Sequence, residues 1–572
     1  MCKECEIRQI FTSVASAAAE VERLLADAGL RPEPLPFLVG AFDDSDGLMA
    51  VGGLDGNVIK CVAVKAEARG GAVANSIISA LLSRAYEDGH ANVFVFTKPE
   101  YESLFADMSF TLVGRCADAV LLENDSRGVR RYADYLRGLP KGDRNGVIVM
   151  NCNPLTSGHL YLIKAAAKSV DRMFVIPVKE DRSLFSYAER REMLERAARQ
   201  CENVTICDGS PYTISAATFP TYFLKELSSA AETQMALDCD IFNRHIAPAL
   251  NASVRFVGSE PDDRLTALYN DNMAKHLDIE VEVIERLTGT DRAPVSASNL
   301  RRALLDGRAG DALGMAPLLT APFILAHAAT QALTQELELT PKPGLVDLHD
   351  NGSHTDMDPG LMRRSIAALH PWFVRLGCCD VNELQALGLE AEKDMFEATK
   401  GVNTHRGALF CMGLTVAAAA RLAPVIDETE LHGEIKRLAA RFVQPEGTHG
   451  HAVKMRYGLP GALVEARGGY ARLFNSWLPF YRSVRRSPHA RYLLLMKIMS
   501  EIEDTNVYHR CGKDGAARVK EDAHRLLTDF SVDALRELNG AYVKENISPG
   551  GAADMLALTL LIDSITHKSI NP

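Results

Sequence analysis

The sequence has no excess of positive charge. Its 63 Lys and Arg residues stand against 74 Asp and Glu residues, which leaves a formal net charge of −11. Proteins that bind nucleic acid or anionic membranes in a general way need a basic surface. We therefore expect neither nucleic acid nor membrane as a partner. Small phosphorylated ligands are not excluded, because a local cluster of Arg, Lys and backbone N–H groups can hold them.

The sequence also lacks the apolar segments that carry a chain into or across a membrane. Its first residues, MCKECEIRQIF, are charged from the start and do not form the apolar core of a signal peptide. The longest apolar run lies between Arg406 and Arg421, and it is too short to span a bilayer. This run predicts a buried helix, and the two absences together predict a cytoplasmic protein.

Metal-binding cysteine patterns are missing as well. The 12 cysteines are scattered, and the C-x-x-C formed by Cys2 and Cys5 has no second pair at the spacing of a zinc site. We expect reduced, mostly packed thiols, as is usual in the cytosol. Internal repeats and low-complexity segments are absent too. A composition of 47% hydrophobic and 24% charged residues is that of a globular protein and excludes disorder as the dominant state.

Changes in periodicity divide the chain into three predicted domains. Residues 1–140 contain short β-type runs and predict an α+β domain. Residues 141–310 alternate strands with helices, which favours an α/β Rossmann-like domain with a parallel, doubly wound sheet. Strand signals then fade, and residues 318–572 predict an all-α domain. The segment LLDGRAGDALGMAP, which begins at Leu304, is the predicted linker.

Local signals mark the ends of several elements. Asp46 and Asp55 are each followed by glycine between apolar runs, a pattern typical of β-hairpins. Ser186 is followed three positions later by Glu189, which is the capping-box signature of a helix start.

The first domain resembles the acetyltransferase fold that binds acyl-CoA through a backbone pyrophosphate loop. That loop would run from Arg69 to Ala74, with Ala72 in place of the central glycine. The Cβ of Ala72 hinders close approach to a pyrophosphate, so we do not expect acetyl transfer here. We hypothesise that the domain holds the CoA-like arm of an acyl carrier. The alternative, a structural module without a ligand, stays open.

In the second domain, a phosphate-binding pattern lies between a strand and a helix. The segment NCNPLTSGHLYLI contains Pro154, which fixes the turn, Gly158, which permits close backbone approach, and His159, which can donate to a phosphate oxygen. Ligands gather at the carboxyl ends of strands in such sheets, where a helix N-terminus attracts phosphate. The sequence therefore predicts a nucleotide site here.

A second phosphate-binding pattern lies far downstream. The segment VSASNLR brings Ser296, Ser298 and Arg301 to the start of a helix, where hydroxyls and a guanidinium suit the β and γ groups of a triphosphate. Taken alone, each pattern is more often a packed histidine or an ordinary N-cap. The two together at opposite ends of one domain favour a nucleotide site.

These segments resemble the nucleotidyltransferases with an H-x-G-H loop and an I-S-x-S-x-x-R loop, and among them most closely the citrate lyase ligase family. Thr156 takes the place of the first histidine. The resemblance extends over residues 179–194, 210–225 and 256–270, in which Lys179, Asp181 and Glu260 are further candidates.

This resemblance implies that acetate attacks the α-phosphorus of ATP to give acetyl-AMP and pyrophosphate, with Mg2+ on the phosphates. A thiol then takes the acetyl group and releases AMP. His159 and Arg301 are the implied catalytic residues, since they would stabilise charge on the phosphates. The implied nucleotide-binding residues are Asn153, Thr156, Gly158, His159, Ser296, Ser298 and Arg301.

Five clusters of polar residues and glycines interrupt the helices of the third domain. Glycines beside charged groups at helix boundaries suit phosphates, and clustered Asp side chains suit Mg2+. One such cluster is usually a solvated loop, but five that alternate with buried helices point to one site. The clusters are residues 340–357, 401–410, 447–466, 503–515 and 546–557, the last with Gly550, Gly551 and Asp554.

The clusters resemble the triphosphoribosyl-dephospho-CoA synthase family over the whole third domain. That family links the ribose C1 of ATP to the 2′-hydroxyl of dephospho-CoA and releases adenine, so the resemblance calls for an acid and a base. The implied base or Mg2+ residues are Asp347, Asp356, Glu465 and Asp504, with Asp347, Asp350 and Asp356 as the Mg2+ set. The implied phosphate and substrate contacts are Lys342, Asn403, His405, Arg406 and Lys454.

Both resemblances point to one pathway and imply a bifunctional enzyme. Its expected partners are ATP, acetate, dephospho-CoA and the acyl carrier subunit of citrate lyase. Two alternatives stay open. One is an adenylyltransferase for a pantetheine-like phosphate joined to a helical phosphotransferase, and the other is a non-catalytic scaffold for citrate lyase.

Overall fold

The computed structural model divides the chain into two compact units. The first comprises residues 1–153 and 158–294, and the second comprises residues 154–157 and 295–572. The residues that the structure describes are 5–69, 72–180, 183–214, 219–224, 230–259, 273–285, 296–443 and 456–566.

The first unit opens with a seven-stranded sheet whose order is β1-β2-β3-β4-β5-β7-β6. All neighbouring strands are antiparallel except β4 and β5. Both hairpin predictions are confirmed, because the strands on either side of Asp46 and of Asp55 pair with each other. The strands are β1 Glu6–Gln9, β2 Phe37–Phe42, β3 Leu48–Asp55, β4 Val58–Val64, β5 Phe94–Thr97, β6 Thr111–Arg115 and β7 Val120–Glu123.

Apolar side chains cover both faces of this sheet. One core contains Ile77 and Leu81 of a helix, and the other contains Leu24 of another helix together with Tyr212 and Phe223 from much later in the chain. The helices of this part are Ala15–Asp27, Val73–Glu87, Glu102–Asp107 and Gly128–Arg137, with short 3-10 turns at Ala66–Ala68 and Pro99–Tyr101.

The second sheet of this unit is parallel throughout, as predicted. Its order is β10-β9-β8-β11-β12, so the direction of strand addition reverses beside β8. Ligands bind at such a switch point, outside the carboxyl ends of the strands. The strands are β8 Asn145–Met150, β9 Arg172–Pro177, β10 Val204–Ile206, β11 Ala252–Gly258 and β12 Glu280–Ile284.

Helices connect these parallel strands. The capping box is confirmed: Ser186 accepts a hydrogen bond from the Glu189 amide, and the Glu189 side chain accepts one from the Ser186 amide. The helices are Ser157–Ala167, Tyr187–Ala198, Ala230–Ile241 and Ala247–Leu250, with a π-helical turn at Phe242–Ile246.

The described part of the second unit is helical throughout. The apolar run between Arg406 and Arg421 forms a buried helix, as predicted. The helices are Ala297–Leu305, Ala309–Met315, Ala321–Leu337, Pro359–Cys378, Leu384–Ala398, Arg406–Leu422, Glu428–Ala439, Ala462–Arg467, Leu478–Val484, Ala490–Glu501, Thr505–Thr528, Val532–Lys544 and Gly550–Thr566, with short turns at Leu318–Thr320 and Leu473–Trp477.

The prediction of a linker from Leu304 is wrong. Half of that segment is the helix Ala309–Met315, whose Ala312 and Leu313 are buried. The Ala309 amide also donates a hydrogen bond of 3.2 Å to Ser564 Oγ. Small apolar residues at helical spacing bury one face here, so the segment belongs to the core of the second unit. None of the described helices has the length and apolarity that crossing a bilayer requires.

Candidate functional site

In the first unit, a buried arginine organises the carboxyl ends of β8 and β9. The Arg190 guanidinium donates to the carbonyl of Asn151 at 2.9 Å and to its Oδ1 at 2.7 Å, and to the carbonyls of Val178 at 2.9 Å and Phe185 at 3.1 Å. It also lies 3.5 Å from the Glu180 carboxylate, and its side chain is 0% exposed. Arg190 therefore holds the backbone that begins the predicted nucleotide loop. The sequence analysis did not identify it.

The residues of that loop have different environments. Asn153 is buried, and its Oδ1 accepts a hydrogen bond of 3.2 Å from the Phe185 amide. Gly158 and His159 are half-buried in the first turn of the helix Ser157–Ala167, where backbone N–H groups point out of the helix end. These three residues belong to the first unit, whereas Thr156 belongs to the second.

Ser296, Ser298 and Arg301 also belong to the second unit. Ser296 caps the helix Ala297–Leu305, with its Oγ accepting from the Ser298 amide at 3.2 Å. Arg301 donates to Ser298 Oγ at 3.1 Å, and burial lowers the pKa of its guanidinium. Hydroxyls and a guanidinium therefore meet at one helix start, as the pattern predicted.

Some predicted residues lie outside the described ranges. They are Gly70, Gly71, Asp181, Glu260 and Lys454.

The second unit contains a cavity of about 1330 Å³. All five polar clusters of the sequence contribute to its wall, although up to about 200 residues separate them along the chain. Helix packing thus brings together residues whose proximity no local pattern shows. The predicted residues that line the cavity are Asp356, Asn403, His405, Arg406, Glu465 and Asp504.

Lys342 and Asp347 do not belong to the cavity lining and are fully buried. The Lys342 ammonium forms an ion pair with the Glu336 carboxylate and donates to the Glu336 carbonyl at 2.7 Å. Asp347 accepts from the backbone amides of Lys342 at 3.0 Å, His349 at 2.8 Å and Asp350 at 3.2 Å. The two side chains therefore organise the loop behind the wall.

The predicted Mg2+ set is not brought together. Asp350 accepts from the Gly352 amide at 2.7 Å and from Asn539 Nδ2 at 2.8 Å, while Asp356 lies on the cavity wall, 3.8 Å from His354. Among the described residues, these carboxylates form no group with ligand atoms within 4.8 Å of one another. Asp347, Asp350 and Asp356 thus do not fit a common Mg2+ site, because backbone and amide groups occupy the oxygens of two of them.

His405 is a buried, neutral residue of the cavity wall. Thr404 Oγ1 donates to Ser365 Oγ at 2.7 Å, and Ser365 Oγ lies 2.8 Å from His405 Nδ1. Because Ser365 Oγ accepts from Thr404, we assign its own proton to the bond with Nδ1, which leaves the ring proton on Nε2. Burial and the nearby Lys342 lower the pKa of His405 to about 4. His405 can therefore act as a neutral hydrogen-bond donor.

Basic side chains line another part of the wall. Arg406 pairs with Glu392 at 2.8 Å, and Arg510 donates to the Ser353 carbonyl and to Asn546 Oδ1, both at 2.9 Å. Because guanidinium groups at a cavity surface suit phosphate oxygens, this wall can hold an anionic substrate.

An acidic pair lines the cavity as well. Asp504 begins the helix Thr505–Thr528, and Asp554 lies in the first turns of the helix Gly550–Thr566. Close packing of glycines makes room for both: a Cβ on Gly551 would lie 3.0 Å from the Asp504 carboxylate, and one on Gly407 would lie 2.0 Å from Asp554 Oδ2. Burial raises the pKa of Asp504 to about 6 and the pKa of Asp554 well above its ordinary value.

The sequence analysis gave no role to several residues of this wall. Among them are Glu336, Tyr470 and Asp554, all of which line the cavity. The signal for Asp554 was present, since the Gly550-Gly551 pair lies just before it and permits close backbone approach.

Two family models match the chain. The model described as ATP:dephospho-CoA triphosphoribosyl transferase matches residues 322–572. The model described as citrate lyase ligase C-terminal domain matches residues 145–324.

Curated relatives match the two parts separately. The [citrate [pro-3S]-lyase] ligase of Escherichia coli K12 is 37% identical over 326 residues, which is 54% of this chain and 92% of that protein. A protein of Azotobacter vinelandii named probable 2-(5''-triphosphoribosyl)-3'-dephosphocoenzyme-A synthase is 39% identical over 267 residues, which is 42% of this chain and 90% of that protein. A crystal structure of NadR with NAD and AMP-PNP, at 12% identity, covers 58% of this chain and 96% of that chain with a TM-score of 0.25, which is too low to support a conclusion.

Proposed function

The chain belongs to the citrate lyase ligase family through its N-terminal part and to the triphosphoribosyl-dephospho-CoA synthase family through its C-terminal part, and we propose that each part carries out the reaction of its family. The protein is then a bifunctional enzyme. One activity makes the precursor of the citrate lyase prosthetic group, and the other acetylates the thiol of the finished group.

For the ligase activity, we propose that acetate attacks the α-phosphorus of ATP. The new acetyl–phosphate bond forms as pyrophosphate leaves, and the carrier thiol then displaces AMP from acetyl-AMP. The roles of His159 and Arg301 in stabilising charge on the phosphates are a proposal from the family resemblance. Support comes from the loop at the carboxyl end of β8, where helix amides face the ligand side and Arg190 fixes the backbone.

For the synthase activity, the cavity is the observation that carries the proposal. It joins carboxylates, basic groups and glycine-rich helix starts from all five clusters, and its volume of about 1330 Å³ suits two large nucleotide substrates. Arg406 and Arg510 would hold phosphate groups, and the carboxylates would serve the ribosyl transfer. Mg2+ would accompany the triphosphate as its counter-ion.

Three further points are proposals. The acyl carrier subunit of citrate lyase is the partner of the ligase site, the protein acts in the cytoplasm, and the seven-stranded sheet holds the CoA-like arm of the carrier. Arg69, an exposed residue beside that sheet, tests the last point. Replacing Arg69 with Ala should raise the KM for the carrier and leave the KM for ATP unchanged. An unchanged KM for the carrier would contradict the docking role.

Two assays on the full-length protein test the proposed function. When the protein is incubated with ATP, Mg2+ and dephospho-CoA, we expect free adenine to appear in proportion to the dephospho-CoA that is consumed. With ATP, Mg2+ and acetate, we expect exchange of labelled pyrophosphate into ATP that stops when acetate is omitted. Absence of adenine from protein that still exchanges pyrophosphate would contradict the synthase assignment. Exchange that requires a pantetheine phosphate instead of acetate would contradict the ligase assignment.

A further inference from the structure

Asp554 lies in the cavity of the second unit between elements that are distant in sequence. Its Oδ2 faces the first turn of the helix Arg406–Leu422, close to the Gly407 backbone, and the neighbouring Ala408 amide favours the ionised form of its carboxylate. The titratable groups around it are Asp504, Glu336, Cys411 and Tyr470, and Glu336 is itself paired with Lys342. Among the described residues, no Lys, Arg or His nitrogen lies within 4.0 Å of the Asp554 carboxylate.

The neighbouring Asp504 has a different hydrogen-bond environment. Its carboxylate accepts from the backbone amides of Asn506 at 2.9 Å, Val507 at 3.4 Å and Ala552 at 2.9 Å. Backbone donors stabilise the ionised form of a carboxylate. Asp504 is 4% exposed and Asp554 is partly buried. Two neighbouring carboxylates shielded from solvent do not readily ionise together, so we place the proton of the pair on the member with fewer donors, which is Asp554.

The direction in which the pKa of Asp554 is shifted agrees with this geometry. Burial raises the pKa of Asp554 well above its ordinary value, and repulsion from Asp504 and Glu336 raises it further. Where the surroundings of two carboxyl groups hold their pKa values apart, the group with the higher pKa stays protonated and can act as an acid.

A second observation comes from two buried polar side chains of the cavity wall. Tyr470 Oη and His405 Nε2 are buried, and neither has a hydrogen-bond partner among the described residues. Both residues line the cavity and are 3% exposed. Tyr470 is also held at φ 53°, a left-handed conformation that is uncommon for a residue with a bulky side chain. Unsatisfied buried polar atoms and backbone strain of this kind are typical of binding sites.

We propose that Asp554 is the catalytic acid that protonates adenine as it leaves the ribose of ATP. This role rests on the proposed synthase function. The C1′–N9 bond breaks, its electron pair goes to adenine, and the Asp554 carboxyl proton moves to a ring nitrogen, so adenine leaves as a neutral molecule. The 2′-hydroxyl oxygen of dephospho-CoA bonds to C1′ and releases its proton to water, from which Asp554 is reprotonated.

The test is the variant Asp554→Asn in the full-length protein. Asn keeps the size of the side chain and an oxygen for the Ala408 amide but cannot donate a carboxyl proton. Adenine release should fall by about 10²–10⁴-fold in kcat. The KM for dephospho-CoA should change by less than about fivefold, because ground-state contacts remain.

A changed leaving group separates acid catalysis from a structural role. 6-Chloropurine is less basic than adenine and leaves more easily without a proton. With 6-chloropurine riboside 5′-triphosphate, the ratio of wild-type to Asp554→Asn kcat should shrink at least tenfold. The wild-type kcat with ATP should also fall as pH rises through the titration of Asp554, and the variant should lack that decline. An equal ratio with both leaving groups would overturn the acid role.

Asp563 provides the matched control on the same helix. Its carboxylate lies 2.9 Å from Arg482 Nε and does not line the cavity. Asp563→Asn should therefore keep kcat within a few-fold while it lowers thermal stability. If wild-type protein releases no adenine at all, the proposed synthase function is wrong. If wild-type protein releases adenine and Asp554→Asn matches it, only the acid role is overturned.

Discussion

The two units build their candidate sites by different routes. In the first unit, residues 151–153 of the predicted nucleotide loop follow a parallel strand directly, and one buried guanidinium ties them to the carboxyl end of the next strand. In the second unit, five loops from across the helical chain meet around one cavity. A parallel sheet therefore sets the place of a site through backbone topology, whereas a helical unit sets it through the packing of side chains.

This difference changes what one substitution can do. The first site depends on a concentrated hydrogen-bond network around Arg190, and the second depends on many contacts spread over the cavity wall. The predictions below test whether the two activities can be lost one at a time and whether the two sites respond differently to substitution.

The largest effect is expected for Arg190→Met. This change leaves the Glu180 carboxylate and several carbonyls buried without their donor, which should lower the free energy of unfolding by about 3–5 kcal/mol. Urea unfolding would measure the loss, and acetate-dependent exchange should disappear with it. Adenine release should persist, and its loss would show that the two sites are not separable.

Arg191→Met is the matched control for that variant. Arg191 is 36% exposed and pairs with Glu195 at 2.9 Å and Asp208 at 2.5 Å. Exposed pairs contribute about 0–1 kcal/mol, so this neighbour should unfold nearly as the wild type does.

A smaller effect on stability but a clear effect on catalysis is expected for His159→Asn. If His159 stabilises phosphate charge, acetate-dependent exchange should fall about 10²–10³-fold, as on removal of one such donor. Adenine release should stay unchanged. Tyr161→Phe, an exposed position of the same helix, should leave both activities intact. A parallel loss of both activities in His159→Asn would break the separation of the sites.

The acidic pair of the second unit should make its stability depend on pH. The folded pKa of Asp554 lies above the unfolded value of about 4, so its stabilising contribution is full below that value and is lost as pH rises toward the folded pKa. Asp554→Asn removes this loss. The melting temperature of the variant minus that of the wild type should therefore grow by a few degrees between pH 4.5 and pH 8. A constant or shrinking difference would contradict the raised pKa.

The smallest effect is expected for Asp350→Asn. Because Asp350 holds the Gly352 amide and Asn539, the variant should lose about 1 kcal/mol of stability. The Mg2+ concentration for half-maximal adenine release should stay the same. Asp356→Asn, on the cavity wall, should reduce activity more. A tenfold rise in the Mg2+ concentration that Asp350→Asn needs for half-maximal adenine release would indicate that Asp350 is a metal ligand.

Local patterns in the sequence predicted local structure well. The hairpins at Asp46 and Asp55, the capping box at Ser186, the parallel sheet and the buried helix after Arg406 are all confirmed. The hairpins, the capping box and the buried helix depend on residues close in sequence. The parallel sheet pairs distant strands, but it follows from the alternation of strands and helices along the chain. The linker from Leu304 failed for the opposite reason, since only packing against the rest of the second unit makes that segment a buried helix.

The sequence by itself determined both families, the two sheets, the helical C-terminal part and the five clusters, because motifs and periodicity are properties of the chain. Tertiary structure alone decided the use of individual charged residues. Lys342 and Asp347 have side chains of the kind that bind phosphate and metal ions. In the fold, however, Lys342 pairs with Glu336, and Asp347 accepts hydrogen bonds from loop amides. Asp554 faces the cavity beside Asp504. A carboxylate's role depends on its burial and its hydrogen-bond donors, and distant segments of the chain supply both.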